Sequence, residues 1–203
     1  MAANDQELEV KFYVTDLNAI QSHLQVLGAN VSQPRTHEIN LRFDTPDGQL
    51  TRTLKVLRLR QDSAVRLTYK GPSLIQNGVH VRKEIEFTAS DFNSAKAFLE
   101  ALGFQVQMMY EKYRSVYELG GVQVTLDEMP YGSFVELEGA DPTHIQTANQ
   151  RLGLKWEARI LESYTALFER LRSVLGFTFR DLSFANFEHL PVSPTGMNVR
   201  PAD

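Results

Sequence analysis

Charged side chains recur in this sequence at every second position of otherwise apolar stretches. Glu7, Glu9 and Lys11 alternate with Leu8, Val10 and Phe12. Arg58 and Arg60 alternate with Leu57 and Leu59, and Arg66, Thr68 and Lys70 with Val65, Leu67 and Tyr69. Arg82, Glu84 and Glu86 share one parity. Lys112 and Arg114 follow, then Asp127, then Glu136 and Glu138 on either side of Leu137. A period of two puts each charged set on one face of a β-strand. Such a sheet either shows its charged face to solvent or curls so that the charges converge inside a barrel. Convergent charges of both signs would bind a polyvalent charged ligand, because burying them unpaired is costly. Periodicity alone leaves both arrangements open.

The elements that carry these residues follow from turn and cap signals. Asp16 caps a helix through Leu17, Ile20, Leu24 and Leu27, with Gly28 as its stop. Strands are expected over 38–44, closed by Thr45-Pro46-Asp47-Gly48, over 55–61 and 64–70, and over 80–87, with 73–79 as a loop. Asp91 opens a second helix that ends near Gly103. Strands over 104–119 and 122–127 meet at Gly120-Gly121, and a third runs over 131–138. Asp141-Pro142 begins a helix, and 157–175 reads as one long amphipathic helix. Runs of strands broken by single helices predict antiparallel pairing in an α+β fold rather than a doubly wound parallel sheet.

Composition sets further bounds. The 203 residues suffice for one large domain, and 42 % hydrophobic with 23 % charged content is globular. The net charge of −4 argues against a general nucleic-acid binder while leaving room for a local basic pocket. Without cysteine there is no disulfide, thiolate metal site or thiol nucleophile. The five histidines, at 23, 37, 80, 144 and 189, show no ligand spacing. No apolar run spans a bilayer and the first residues do not read as a secretory signal, so a soluble cytoplasmic protein without a membrane partner is expected. After residue 175 the chain changes character. Phe177, Phe179, Phe184 and Phe187 are expected to pack back on the body, and the last ten residues to be disordered.

In order, the stations Glu7-x-Glu9-x-Lys11, Phe43-Asp44-Thr45-Pro46-Asp47, Leu57-Arg58-Leu59-Arg60, Leu67-Thr68-Tyr69-Lys70-Gly71-Pro72, Arg82-Lys83-Glu84-Ile85-Glu86, Lys112-Tyr113-Arg114, Thr125-Leu126-Asp127 and Phe134-Val135-Glu136-Leu137-Glu138-Gly139, with the helix motif Ser163-Tyr164, resemble the CYTH superfamily of triphosphate tunnel metalloenzymes. The likeness spans residues 5 to about 170, with Arg42 standing where that family usually has tyrosine. It implies a closed eight-stranded antiparallel barrel with helices outside and the charged faces turned inward, over a domain of residues 1–175 followed by a 176–203 extension. It also implies Mg2+ or Mn2+ held by Glu7, Glu9, Asp127, Glu136 and Glu138. Lys11, Arg58, Arg60, Lys70, Lys112 and Arg114 become a phosphate clamp, with Glu84 and Glu86 orienting the bases or a second metal. Glu9, Lys11, Arg58, Arg60 and Lys70 are then the expected catalytic set. Arg66 and Arg82 share the inward parity or lie at the rim, Lys83 points outward, and Arg42 is either a further inward cation or surface. The implied activity is hydrolysis of a small-molecule triphosphate, with class IV adenylyl cyclase as the alternative and a non-catalytic polyphosphate-binding module as a third reading, in a monomer or homodimer.

Overall fold

The alternating stretches become strands. The computed structural model describes residues 6–76 and 79–203, with side chains described apart from those of residues 6, 7, 76, 79 and 80. Its strands are β1 (Gln6–Val14), β2 (Asn30–Asp44), β3 (Val56–Gln61), β4 (Val65–Lys70), β5 (Leu74–Gln76), β6 (Val79–Ala89), β7 (Gln105–Leu119), β8 (Val122–Met129), β9 (Gly132–Gly139) and β10 (Arg159–Ile160). The helices are α1 (Leu17–Val26), α2 (Gln49–Arg52), α3 (Phe92–Ala101), α4 (Pro142–Leu152), α5 (Tyr164–Leu175), α6 (Phe184–Phe187) and α7 (Pro194–Met197). Side-chain oxygens of Asp16, Asp91, Asp141 and Ser163 accept from first-turn amides of α1, α3, α4 and α5.

Eight strands hydrogen-bond in the order β1-β9-β8-β7-β2-β3-β4-β6, and β6 returns to β1 through pairs from Gln6↔Lys83 to Glu9↔His80. The ring is antiparallel throughout, as expected for the barrel. A closed ring leaves no long sheet edge and points every second residue into the lumen. The apolar parity faces out and is covered in two places. Val10, Phe12, Val124, Val135 and Leu137 pack beneath α1 and α4, through Ile20, Leu24, Ile145 and Leu152. Leu41, Phe43, Leu59 and Leu67 lie beneath α3, through Ala95 and Leu99.

At one end of the barrel the inward positions change from charged to apolar. Met108, Met129 and Phe134 join Leu167, Phe168 and Leu171 of α5 and Leu182, Phe187 and Met197 of the following segment in a third cluster. Helix α5 and the chain after it thus form an apolar stopper, leaving the charged lumen on its other side.

Four expectations are corrected. Strand β2 begins at Asn30, because register shifts at Gln33 and Thr36 let it follow β7 for its full length. Leu74–Gln76 pairs with β6, so the expected 73–79 loop is a short hairpin; its Asn77-Gly78 tip lies outside the described residues. The expected long helix is confined to Tyr164–Leu175, since Trp156–Ala158 forms a single 3-10 turn and Arg159 and Ile160 pair with Phe12 and Lys11. The last ten residues are held in place. The Ala202 amide donates to the Tyr13 carbonyl, its own carbonyl accepts from the Lys155 amide, and one Asp203 side-chain oxygen accepts from the amides of Thr15 and Asp16. Phe177 and Phe179 stack at 4.1 Å between centroids, against Phe168 and Phe187.

Asp44 shows how the loop after β2 is fixed. Its carboxylate is buried and accepts from the amides of Thr45, Leu50 and Thr51 and from the Thr51 hydroxyl, at 2.6–2.9 Å. Burial disfavours the charge, but these donors outweigh it and bring the carboxyl down to about 2. A pKa lowered in the folded state contributes stability that is present above the unfolded value and is lost as pH falls through the folded one. Asp44→Asn is therefore expected to cost about 2 kcal/mol at neutral pH. Between about pH 4 and pH 2 the wild type should lose this advantage, which urea unfolding across that range would show.

Candidate active site

The lumen holds a cavity of about 240 Å3 lined by seven cations, Lys11, Arg42, Arg58, Lys70, Arg82, Lys112 and Arg114, and by four carboxylates, Glu9, Glu136, Glu138 and Glu162. Tyr110, Tyr164, Thr125, Ser73, Ser163 and Thr165 complete its polar wall, and Val56 is its aliphatic residue among those described. Sheet register explains the grouping. Glu9 lies directly opposite Glu138 across β1 and β9, with Lys11 opposite Glu136. Arg42 lies opposite Arg58 across β2 and β3, and Lys70 opposite Glu84 across β4 and β6.

The charges neutralise one another in detail. Lys11 meets Glu136 at 3.0 Å and Arg82 meets Glu9 at 3.1 Å. Lys70 meets Glu84 at 2.8 Å, and Glu86 accepts from Thr68 at 2.8 Å and from Arg60 at 3.2 Å. Burial alone would lower the Lys11 pKa, yet Glu136 and Glu9 raise it. Burial would raise that of Glu136, yet Lys11 and Arg114 hold it well below the usual carboxylate range. Arg60 goes the other way: burial and neighbouring Arg58 lower its pKa. Burial also presses on Arg58, but Tyr110, Glu38 and Glu84 raise it.

Of the residues singled out in the sequence, Glu9, Lys11, Arg58, Lys70, Lys112, Arg114, Glu136 and Glu138 line the cavity. Arg60, Glu84 and Glu86 sit beside it as counter-charges. The Glu7 side chain lies outside the described residues. Arg82 faces the cavity, whereas Arg66 pairs with Asp62 and Glu86 away from its lining. Lys83 is exposed, as its parity requires, and Arg42 turns inward.

Asp127 is not among the lining residues. It is fully buried and accepts from Lys112 at 2.9 Å, twice from Arg114 at 2.7 and 2.5 Å, and from the Tyr164 hydroxyl at 2.8 Å. Three of those bonds go to Oδ2 and one to Oδ1. The geometry makes it the anchor of Lys112 and Arg114.

The carboxylate wall itself suits a divalent cation. Glu9 and Glu138 are like charges facing each other across one strand pair, an arrangement that is unfavourable without a cation between or beside them. Among the described residues no three acidic or imidazole groups enclose a cation by themselves. An ion here would therefore take one or two carboxylates and complete its shell with water and ligand oxygens, which is the habit of Mg2+ beside phosphates.

Several residues of the barrel interior escaped the sequence reading. Glu38 and Asn40 are buried on the inner face of β2, and the Glu38 carboxylate stands 3.8–3.9 Å from Arg60, Lys112 and Arg114. The alternation with Ile39, Leu41 and Phe43 carries their signal. Tyr164 enters from α5, with Lys11 4.3 Å above its ring, and Tyr110 lies on β7 next to Arg58; neither lies in a charged alternation.

Comparison with known proteins agrees with this architecture. The chain is 29 % identical over 178 residues to the Aeromonas hydrophila protein called adenylate cyclase CyaB, covering 81 % of this chain and 89 % of that one. A solved Vibrio parahaemolyticus structure, provisionally named an adenylate cyclase, superposes with a TM-score of 0.73 at 23 % identity, over 82 % of this chain and 99 % of that one. A Hippeastrum protein, provisionally named an adenylyl cyclase and described as having a dominant triphosphatase activity, superposes with a TM-score of 0.58 at 18 % identity, over 80 % of this chain and 95 % of that one. Among the described residues no helix is long and apolar enough to cross a membrane. The family model for the CYTH domain matches residues 5–164, so the chain belongs to the CYTH family.

Proposed function

We propose that the protein is a metal-dependent triphosphatase acting on inorganic triphosphate or a small organic triphosphate. The observation that carries this reading is the cavity: about 240 Å3, with seven cations against four carboxylates on a chain whose net charge is −4. Sites for drug-sized organic ligands run to about 300–1,000 Å3 and are mostly apolar. This one is smaller and is lined by charged and polar side chains at every position but Val56, which favours a compact polyanion.

In this reading Lys11, Arg58, Lys70, Lys112 and Arg114 straighten the phosphate chain and share its charge, with Arg60, Glu84 and Glu86 holding the clamp in position. Glu9, Glu136 and Glu138, with Glu7, would hold Mg2+ or Mn2+, which when bound supplies Lewis-acid stabilisation of charge on the phosphoryl oxygens. The carboxylate wall orients a water toward the terminal phosphorus. The new P–O bond forms as the bridging P–O bond breaks, and the clamp receives the charge that collects on the departing pyrophosphate.

Class IV adenylyl cyclase is the second reading, favoured by the name of the Aeromonas relative. It would use the same clamp to direct a ribose hydroxyl at the α-phosphorus. Incubation with Mg2+ or Mn2+ and either triphosphate or ATP, with phosphate, pyrophosphate and cyclic AMP assayed together, separates the two. Phosphate from triphosphate without cyclic AMP from ATP is expected, and the reverse pattern refutes the hydrolase. In thermal melts at fixed ionic strength, triphosphate should raise Tm while orthophosphate at the same concentration does so little. At a hundredfold excess over Kd the stabilisation is about 2.7 kcal/mol.

A further inference from the structure

The cavity cations are compensated unevenly. Lys11, Arg58, Lys70, Arg82, Lys112 and Arg114 each have a carboxylate within ion-pair distance. Arg42 lines the same cavity, yet among the described residues it has no such partner. It bonds to a neutral group: Nη1 donates to the Thr165 hydroxyl at 2.9 Å. Thr165 lies in the first turn of α5, so the bond ties the guanidinium to a helix N-terminus that carries partial positive charge of its own. Arg42 also sits directly across from Arg58, a like-charge pair that an anion between them would relieve.

Topology fixes what that anion would be part of. In the ring of eight, β2 is four strands from β1 in either direction, so Arg42 stands on the wall opposite the one that carries Glu9. A phosphate chain reaching across the lumen from the carboxylate wall brings its far end to Arg42. If that end is ionised it meets an uncompensated guanidinium in a planar fork suited to phosphate oxygens. If it carries an organic group it leaves the guanidinium unanswered, and reversing the ligand only moves the organic group to the carboxylate wall. A chain ionised at both ends satisfies both walls in either orientation.

We propose that Arg42 is a specificity-determining residue that selects linear phosphoanhydrides ionised at both ends, such as inorganic triphosphate, over triphosphates esterified at one end. This rests on the triphosphatase reading of the site, but its test reads binding rather than turnover. Metal-free protein is titrated calorimetrically with inorganic triphosphate and with ATP at one ionic strength, as wild type, Arg42→Gln and Arg42→Lys. Arg42→Gln should raise Kd for triphosphate about 10- to 30-fold and that for ATP less than about threefold, while Arg42→Lys restores part of the triphosphate affinity. Equal losses for both ligands would mean a general electrostatic contribution and would overturn the proposal, as would no loss for either. Melting curves of both variants establish that they are folded, and if Arg42→Gln does not fold the Arg42→Lys comparison decides by the same ratio. An Arg42-dependent preference for triphosphate in a protein that makes only cyclic AMP would sink the hydrolase reading and leave the selectivity standing.

Discussion

Glu9→Gln is expected to lower metal-dependent turnover of triphosphate by at least ~100-fold, equivalent to about 2.7 kcal/mol of transition-state stabilisation. The substitution keeps the size of the side chain and one of its oxygens. It removes the charge from a carboxylate that faces Glu138 across β1 and β9, on the wall assigned to the cation. Little loss of stability should accompany it, because the neutral amide relieves that like-charge pair even as it weakens the 3.1 Å contact with Arg82. Turnover measured against Mg2+ or Mn2+ concentration, alongside a melting curve, separates the two effects. Near-wild-type turnover in the folded variant would remove Glu9 from the metal site.

Asp127→Ala should act on the fold instead. Here the carboxylate is buried, and removing it takes their shared acceptor from Lys112, Arg114 and the Tyr164 hydroxyl, leaving the two cations only Glu136 and the more distant Glu38. Breaking a buried pair by deleting one partner typically costs about 3–5 kcal/mol. For a protein of this size that corresponds to a fall in Tm of roughly 10 °C. Arg60→Ala is the internal contrast. Burial and Arg58 already disfavour the Arg60 charge, so its removal should cost far less than that of Asp127. Chemical denaturation of the two variants side by side checks the difference in size, and a loss below about 1 kcal/mol for Asp127→Ala would show that Lys112 and Arg114 do not depend on it.

The sequence made the barrel legible wherever one strand alternates without interruption. Leu57 to Arg60, Val65 to Lys70 and Phe134 to Glu138 each state their own inner face, and the register then brings the charges together. The parity of Ile39, Leu41 and Phe43 also contains the answer for Arg42, and with it Glu38 and Asn40. What escaped depends on distant partners. Val31 to Thr36 has Pro34 and no alternation, and is extended because β7 runs beside it. Arg159 and Ile160 leave the helix because β1 offers them an edge. A carboxylate motif does not reveal what a given member meets; Asp127 and Glu138 look alike in sequence, yet one accepts from Lys112 and the other from Gln123. The order of the tail comes from partners almost a full chain length away.

That last feature has a consequence for synthesis. The first strand is completed by residues 80–83, 133–138 and 159–160, and the residues just after it by Asp203, 188 positions beyond Thr15. A ribosome adding about 5–20 residues per second exposes this strand for on the order of 10 s or more before its last neighbour exists. An extended segment of Leu8, Val10, Phe12 and Val14 left open for so long is a template for pairing with other nascent chains. Glu7, Glu9 and Lys11 interrupt that apolar run at every second residue, as gatekeeper charges do in aggregation-prone strands. Glu9 and Lys11, which line the lumen of the finished barrel, therefore also guard the strand while it is still alone.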